Sequence, residues 1–499
     1  MCILATYSAQ GADMAMQDVP WQYVVDIAKQ FVDSESPPGV WPFAKEDLYN
    51  LSLSSKKVFI HYFPPFPISI DNKPAESDYW AKEFLQRSGE GNKYANVGGY
   101  VRQRPLPAGP WNSPYWQEIE AAIDVLRARA IGADGFGVDI LQIGSGRYWD
   151  QARRICAAAS ALKIEFYFVP EIDAAVLSNS SIDEIVKASE ELATCPAAYR
   201  LSDGRILFVP FAPNTQTPAF WKGVEDGLAQ RNIVIGLVPD LLDLGRYADQ
   251  FAPISTGLSY WGVRDPDTVT SKPLKEIENH AASLTRFWMQ PVAPQDARPR
   301  ASILWEAKNT DLLRASWMKA IESGADFAHM ITWNDYAEGT EFAPSSGSQF
   351  LFYDLSAYYI QWYKTGRAPR IVKDAIFYCH RTQIFDPAKL LAPNDRPFRL
   401  LGTTPLHNDV EMVAMLTQPA TLQIELADRT AELSVAAGVH ILKMPANPGR
   451  PIFRIMRNGQ TIVERASNWL IETKADISNP DYFGGSSTRN FISVPSVHH

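Results

Sequence analysis

No run of about 18 apolar residues occurs in the chain, so no membrane-spanning helix is expected. Basic tracts are missing too: 47 Lys and Arg stand against 56 Asp and Glu, a net charge of −9, with no cationic stripe. Nucleic acid and anionic membranes are therefore not expected as partners, and a neutral ligand fits best. Cysteine is scarce. Cys2, Cys156, Cys195 and Cys379 form no CxxC pair and no histidine cluster accompanies them, so no metal site is expected. A Cys156–Cys195 disulfide and four buried free thiols both remain open. No Gly-rich phosphate loop follows an early strand, GSG at 144–146 being too short, which argues against an open nucleotide-binding sheet. No cofactor is expected. The N-terminus, MCILATYSAQGADM, lacks a charged n-region and a full apolar h-region, so a trimmed signal and an intracellular start both fit.

What is present is long and repetitive in texture. A chain of 499 residues exceeds one ordinary core and predicts two or three domains. Aromatics reach 12%, which suits sugar-stacking platforms as well as buried packing. Eight β-rich runs recur between helical stretches: 56–63, 133–141, 165–173, 205–213, 233–241, 254–262, 287–294 and 328–336. Most are continuously apolar, as parallel strands buried on both faces must be.

Helical patterns separate them. Residues 114–131 carry Trp116, Ile119, Ile123, Leu126 and Ala130 on one face, with Ser113 as cap and Pro114 at the first turn. Ser181 and Glu184 have capping-box spacing, and Leu313, Trp317 and Ile321 share one side of a helix near 310–323. Only a short helix fits between Asp240 and Ile254. Eight strand–helix repeats predict an α/β fold, a closed (β/α)8 TIM-type barrel over 56–366. A long Pro-, Gly- and aromatic-rich loop, 64–113, is read as a wall of the catalytic cleft, with a surface insertion as the bland alternative. Residues 1–55 form an N-terminal extension packed on the barrel. From 367 to 480 short alternating segments and the Asn458-Gly459 turn signal predict a β-sandwich, and 481–499 a polar tail.

In such barrels catalytic groups leave the C-terminal ends of strands. The eighth run ends ITWNDYAEGTEF (331–342), where Asp335 and Glu338 stand three positions apart. Glycoside hydrolysis needs two carboxyls, one to protonate the leaving oxygen and one to act on the opposite face of the sugar. Trp333 and Tyr336 offer apolar surroundings or stacking surfaces, and Asn334 an amide for a hydroxyl. Other strand ends add candidate substrate contacts: His61, Tyr62, Asp139, Glu171, Asp173, Asp240, Tyr260 and Trp261. Asp134, at the start of its strand, reads as structural.

The segment ITWNDYAEGTEF, with WYKTGRAPRIVKDAIFYCHR (362–381), KKVFIHYF and GADGFGVDI, resembles glycoside hydrolase family 71, the fungal α-1,3-glucanases or mutanases. The resemblance covers roughly 56–475. It implies a barrel followed by a β-sandwich, no metal, secretion from the cell, and inverting hydrolysis of α-1,3-glucan. The family's catalytic pair falls on Asp335 and Glu338, with Glu338 taken as general acid and Asp335 as base. Its aspartate near the second strand falls on Asp134, which makes that residue a substrate-binding candidate. Ala337, Gly339 and Thr340 depart from the family pattern, and AEGTE is similar to the motif of retaining family 99 endo-mannosidases. A family 99-like α-mannan hydrolase and a non-catalytic glycan-binding barrel are the alternatives. The expected partner is a polysaccharide or oligosaccharide, and the chain is read as a monomer.

Overall fold

The computed structural model describes residues 18–386, 398–473 and 477–494. Cys2 and the last five positions of the expected tail lie outside these. Strands follow the chain as β1 (Lys57–Tyr62), β2 (Gly135–Ile140), β3 (Tyr167–Ile172), β4 (Ile206–Phe208), β5 (Ile235–Leu237), β6 (Asp240–Leu241), β7 (Gly257–Tyr260), β8 (Phe287–Val292), β9 (Asp296–Arg298), β10 (Ile303–Trp305) and β11 (Phe327–Met330). Seven of them form one curled parallel sheet in the order β3-β2-β1-β11-β8-β7-β6, and β4 pairs with β5. Between β3 and β6 lies the chain just beyond β4: Phe211 bridges in parallel to both Asp173 and Asp240. Its backbone N–H donates to the Ile172 carbonyl at 2.9 Å, and that of Ala212 to Asp240 at 3.1 Å.

Strand periodicity explains which side chains meet. Phe59, Val169, Leu207, Val238, Met289 and Phe327 turn inward and form a core of their own, whereas Val58, Ile60, Phe136 and Ile172 face the helices. One residue pair further along, the inward positions become polar: His61, Asp139, Glu171 and His329. Gly137 makes room for this change, since a Cβ there would stand 1.8 Å from a Glu171 carboxylate oxygen.

The helices form where periodicity and caps placed them. The capping box of Ser181 and Glu184 opens the helix Ile182–Ala193, and Asp311–Ser323 and the short Leu244–Phe251 also fold as read. The helix predicted from Pro114 begins instead at Trp116, with Ser113 bonding the Tyr115 amide. An N-terminal helix, Trp21–Glu35, reaches the same element through an Arg127–Glu35 ion pair of 2.6 Å.

Beyond residue 374 two four-stranded antiparallel sheets enclose a second apolar core built on Ile376, Met412, Leu422, Ile424 and Phe453. Asn458 and Gly459, both at positive φ, turn the expected hairpin. The polar-tail reading of 481–499 needs correction: Tyr482 is buried and Phe483–Ser486 is a strand paired with Ala375–His380. Its glycines pack against Leu351 and Tyr378, a role that polar composition concealed.

Cys156 and Cys195 form a disulfide that closes 39 residues of chain, while Cys379 is free and buried. Loop-closure entropy for that span gives a stabilisation of about 4 kcal/mol. Reduction, or Cys156→Ser with Cys195→Ser, is expected to lower the urea midpoint accordingly. An unchanged midpoint would show that the reduced chain is already restrained there.

Candidate active site

Strand β11 ends at Met330, five residues before Asp335, so the motif is a folded turn and not a strand end. The turn is closed by backbone bonds from Thr332 N–H to the Thr340 carbonyl and from Phe342 N–H to Thr332, both 2.9 Å. Thr332 Oγ1 accepts from the Asp335 amide at 2.8 Å, and Asp335 Oδ1 accepts from the Ala337 amide at 3.0 Å. Gly339 adopts φ +61°, and a Cβ there would lie 2.9 Å from Asp481. The turn places Asp335 near enough to Glu338 for its charge to act on that carboxyl. Each carboxylate residue is under a tenth exposed, at 7% and 8%.

Their electrostatics are set by burial and by two arginines. Arg298 Nη1 lies 2.8 Å from Glu338 Oε1, and Arg300 Nη2 lies 3.6 Å from the same oxygen. Burial pushes the Glu338 carboxyl above the ordinary range; Arg298 opposes this, and the negative charge of Asp335 adds to it. Asp335 is raised by burial too, against the pull of Arg300, Arg298 and the Ala337 amide. Burial raises both carboxyls and the charge of Asp335 adds to the rise at Glu338, which favours a proton on Glu338 beside an ionised Asp335, the division of labour that acid–base hydrolysis requires.

A polar layer lies beneath the pair. His61 Nδ1 meets Glu171 Oε2 at 2.5 Å, and His329 Nε2 lies 3.1 Å from Glu171 Oε1. Burial alone would raise Glu171, but the charges of His329 and His61 outweigh it and hold the carboxyl at about 2. Among the described residues, these three are the one group whose ligand-type atoms all lie within 4.8 Å of one another; their contacts have hydrogen-bond lengths. Asp139 stands 3.7 Å from His61, and burial with the charges of Asp173, Glu171 and Asp335 drives it well up. Asp240 lies 3.8 Å from His329 and is pushed by burial to about 6. The Trp261 ring packs edge-on to His61 at 4.8 Å and to Phe211 at 4.5 Å, half-buried at the rim. Asp173 caps its own turn by accepting from Ala175 and Val176 N–H groups, both at 2.9 Å. Glu171→Gln leaves two histidines without their shared counter-charge and is expected to cost about 3–5 kcal/mol of stability in a urea titration. Lost turnover with intact stability would instead place Glu171 in the chemistry.

Several expected contact residues face elsewhere. Tyr62 and Tyr260 point outward by strand alternation, their hydroxyls donating to Asp124 and Glu278. Trp333 is fully buried and donates to Asp124 at 2.9 Å, so it has no face for a sugar. Tyr336 is buried against Trp80 and Phe66. Asn334 spends its amide on the backbone of Phe63 and Phe66, fastening the front loop to the turn. Asp134 sits at the opposite, N-terminal end of the strands, paired with Lys364 at 2.6 Å.

Sequence reading passed over Asp296, Arg298 and Arg300 in the segment after β8, and Tyr100 in the front loop. Tyr100 bonds Arg300 and senses the charge of Asp335. The strand-end rule would have found the arginines had the loop after β8 been read as far as 300. Cavity size would have misled, since surface cavities of about 720 and 650 Å³ lie among the outer helices and hold none of these groups.

The chain is similar to proteins that carry glycosidase names. Glucan endo-1,3-α-glucosidase agn1 of Schizosaccharomyces pombe is 25% identical over 391 residues, covering 73% of this chain and 88% of its own. A mutanase of Penicillium rubens is 23% identical over 372 residues, covering 70% and 79%. The solved GH99 endo-α-mannosidase of Bacteroides thetaiotaomicron overlaps 62% of this chain and 97% of its own at 16% identity, with a TM-score of 0.47, too loose a fit to bear on function. The sequence profile of glycosyl hydrolase family 71 runs from residue 112 to 493, taking in the buried carboxyl pair, the arginines beside it and the C-terminal sheets. The chain is a glycoside hydrolase and belongs to glycosyl hydrolase family 71.

Proposed function

We propose that this enzyme hydrolyses α-1,3-glucan with inversion, Glu338 acting as general acid and Asp335 as the base that activates water. The observation that carries this reading is the buried pair itself: two carboxyls on one turn, both raised by burial, with Arg298 and Arg300 beside Glu338. Glu338 gives its proton to the glycosidic oxygen while Asp335 takes one from a water on the far face of the sugar. The linkage is favoured by the relatives, which carry the names glucan endo-1,3-α-glucosidase and mutanase. His61, Asp139, Asp173, Asp240 and Trp261 are the residues nearest to serve the sugar hydroxyls.

On the same reading the parallel sheet closes as a (β/α)8 barrel over 56–366, because the bonds through Phe211 span the interval between β3 and β6. The two antiparallel sheets make a β-sandwich that begins after residue 367 and takes in Phe483–Ser486, residues 18–55 pack on the barrel, and the chain works as a monomer. The front loop 64–113 is a cleft wall, supported by its Phe66, Trp80 and Phe84 packing on Tyr336 and by Tyr100 at Arg300.

The test is a panel of α-1,3-, α-1,4- and β-1,3-glucan and α-mannan with reducing ends and first-formed anomers measured. Sugar is expected from α-1,3-glucan, appearing first as the β-anomer. Cleavage of α-mannan with retention would replace this reading with the family 99-like one.

A further inference from the structure

Arg298 is held more firmly than a substrate-binding arginine needs to be. Its Nε and Nη2 form a two-pronged pair with Asp296, at 2.8 and 2.7 Å, and Asp296 is fully buried. The guanidinium also packs on the Trp305 ring at 5.1 Å. Only Nη1 remains, and it is the atom 2.8 Å from Glu338 Oε1. The same hairpin holds the Glu338 backbone, since the Ala297 N–H donates to the Glu338 carbonyl at 2.8 Å.

The hairpin is in turn gripped by the C-terminal part of the chain. β9 pairs with β10, and β10 takes Arg399–Leu401 as a parallel neighbour. Just past β10, buried Glu306 accepts from Arg381 Nη1 and the His407 amide, both at 3.0 Å, and from the Tyr482 hydroxyl at 2.6 Å. Just before β9, Gln295 accepts from the Tyr482 amide at 2.8 Å. Both ends of the hairpin are thus fixed by residues from beyond position 380.

We propose that Arg298 is the positioning residue of this active site: its one free prong fixes the Glu338 carboxyl for proton transfer, and the C-terminal sheets hold the hairpin that carries it. The role given to Glu338 rests on the function proposed above. Glu338 is faced by Asp335 on its own turn, by Arg298, Arg300 and Asp296 from the hairpin, by Arg264 beyond β7, and by Asp481 behind Gly339, with Tyr100 reaching it through Arg300. Arg298 is the nearest cation. Its removal frees the carboxyl to rotate and leaves it protonated to higher pH.

The experiment compares wild type, Arg298→Gln, Arg298→Lys and Glu306→Gln on a soluble α-1,3-linked gluco-oligosaccharide across pH. A ¹³C NMR titration of labelled glutamate carboxyls runs beside it, with the Glu338 signal assigned by its loss in Glu338→Gln. For Arg298→Gln, kcat is expected to fall about 100-fold with KM little changed, and the alkaline limb and NMR midpoint to rise by about one pH unit. Arg298→Lys keeps the charge and so restores the limb, but lacks the fork and leaves kcat low. Glu306→Gln, remote from substrate, moves kcat the same way by a smaller factor and serves if Arg298→Gln does not fold. A fall in kcat with an unmoved limb and midpoint means a merely structural arginine and overturns the proposal, as does unchanged kcat. If wild type leaves α-1,3-glucan intact, the functional reading fails by itself, and the NMR midpoint alone decides whether Arg298 governs Glu338.

Discussion

Glu338→Gln is expected to lower kcat on α-1,3-glucan by on the order of 10⁴-fold, the upper range for loss of a general acid. That is a barrier increase of about 5 kcal/mol. The amide has the shape of the carboxyl and its oxygen can still accept from Arg298, so KM and the circular dichroism spectrum should change little. Removing a carboxyl that burial already disfavours should leave thermal stability level or slightly raised. Residual turnover above a tenth of wild type would mean that the proton comes from another group.

Asp335→Asn is expected to cost about 10³-fold, by a different route. Its amide oxygen keeps the bond from the Ala337 N–H that holds the turn, so the fold survives while water loses its base. An α-glucosyl fluoride separates the two roles, because fluoride leaves without a proton. On that substrate the Glu338→Gln deficit should shrink by more than tenfold and the Asp335→Asn deficit should persist. The reverse pattern would exchange acid and base.

Much of the scaffold was legible because its signals are local. Continuous apolar runs marked the parallel strands, Ser181 with Glu184 marked a helix start, and Asn458-Gly459 marked a hairpin. The carboxyl pair stood out because two acids interrupt a buried segment. The surrounding contacts were harder to read, because a residue's neighbours depend on which face of a strand it occupies. His61 and Tyr62 are adjacent in sequence, yet one enters the polar layer and the other meets Asp124 behind the sheet. Trp333 and Asn334 directly precede Asp335 but are bonded to Asp124 and to the front loop. Arg298 and Asp481 could not be linked to Glu338 by spacing, since a hairpin and a distant strand bring them there.

The most direct single measurement is a crystal structure of Glu338→Gln with an α-1,3-linked gluco-oligosaccharide. The scissile oxygen is predicted within hydrogen-bond reach of the side chain at position 338, with an ordered water between Asp335 and the opposite face of the sugar. A sugar bound clear of both positions would contradict hydrolysis by this pair.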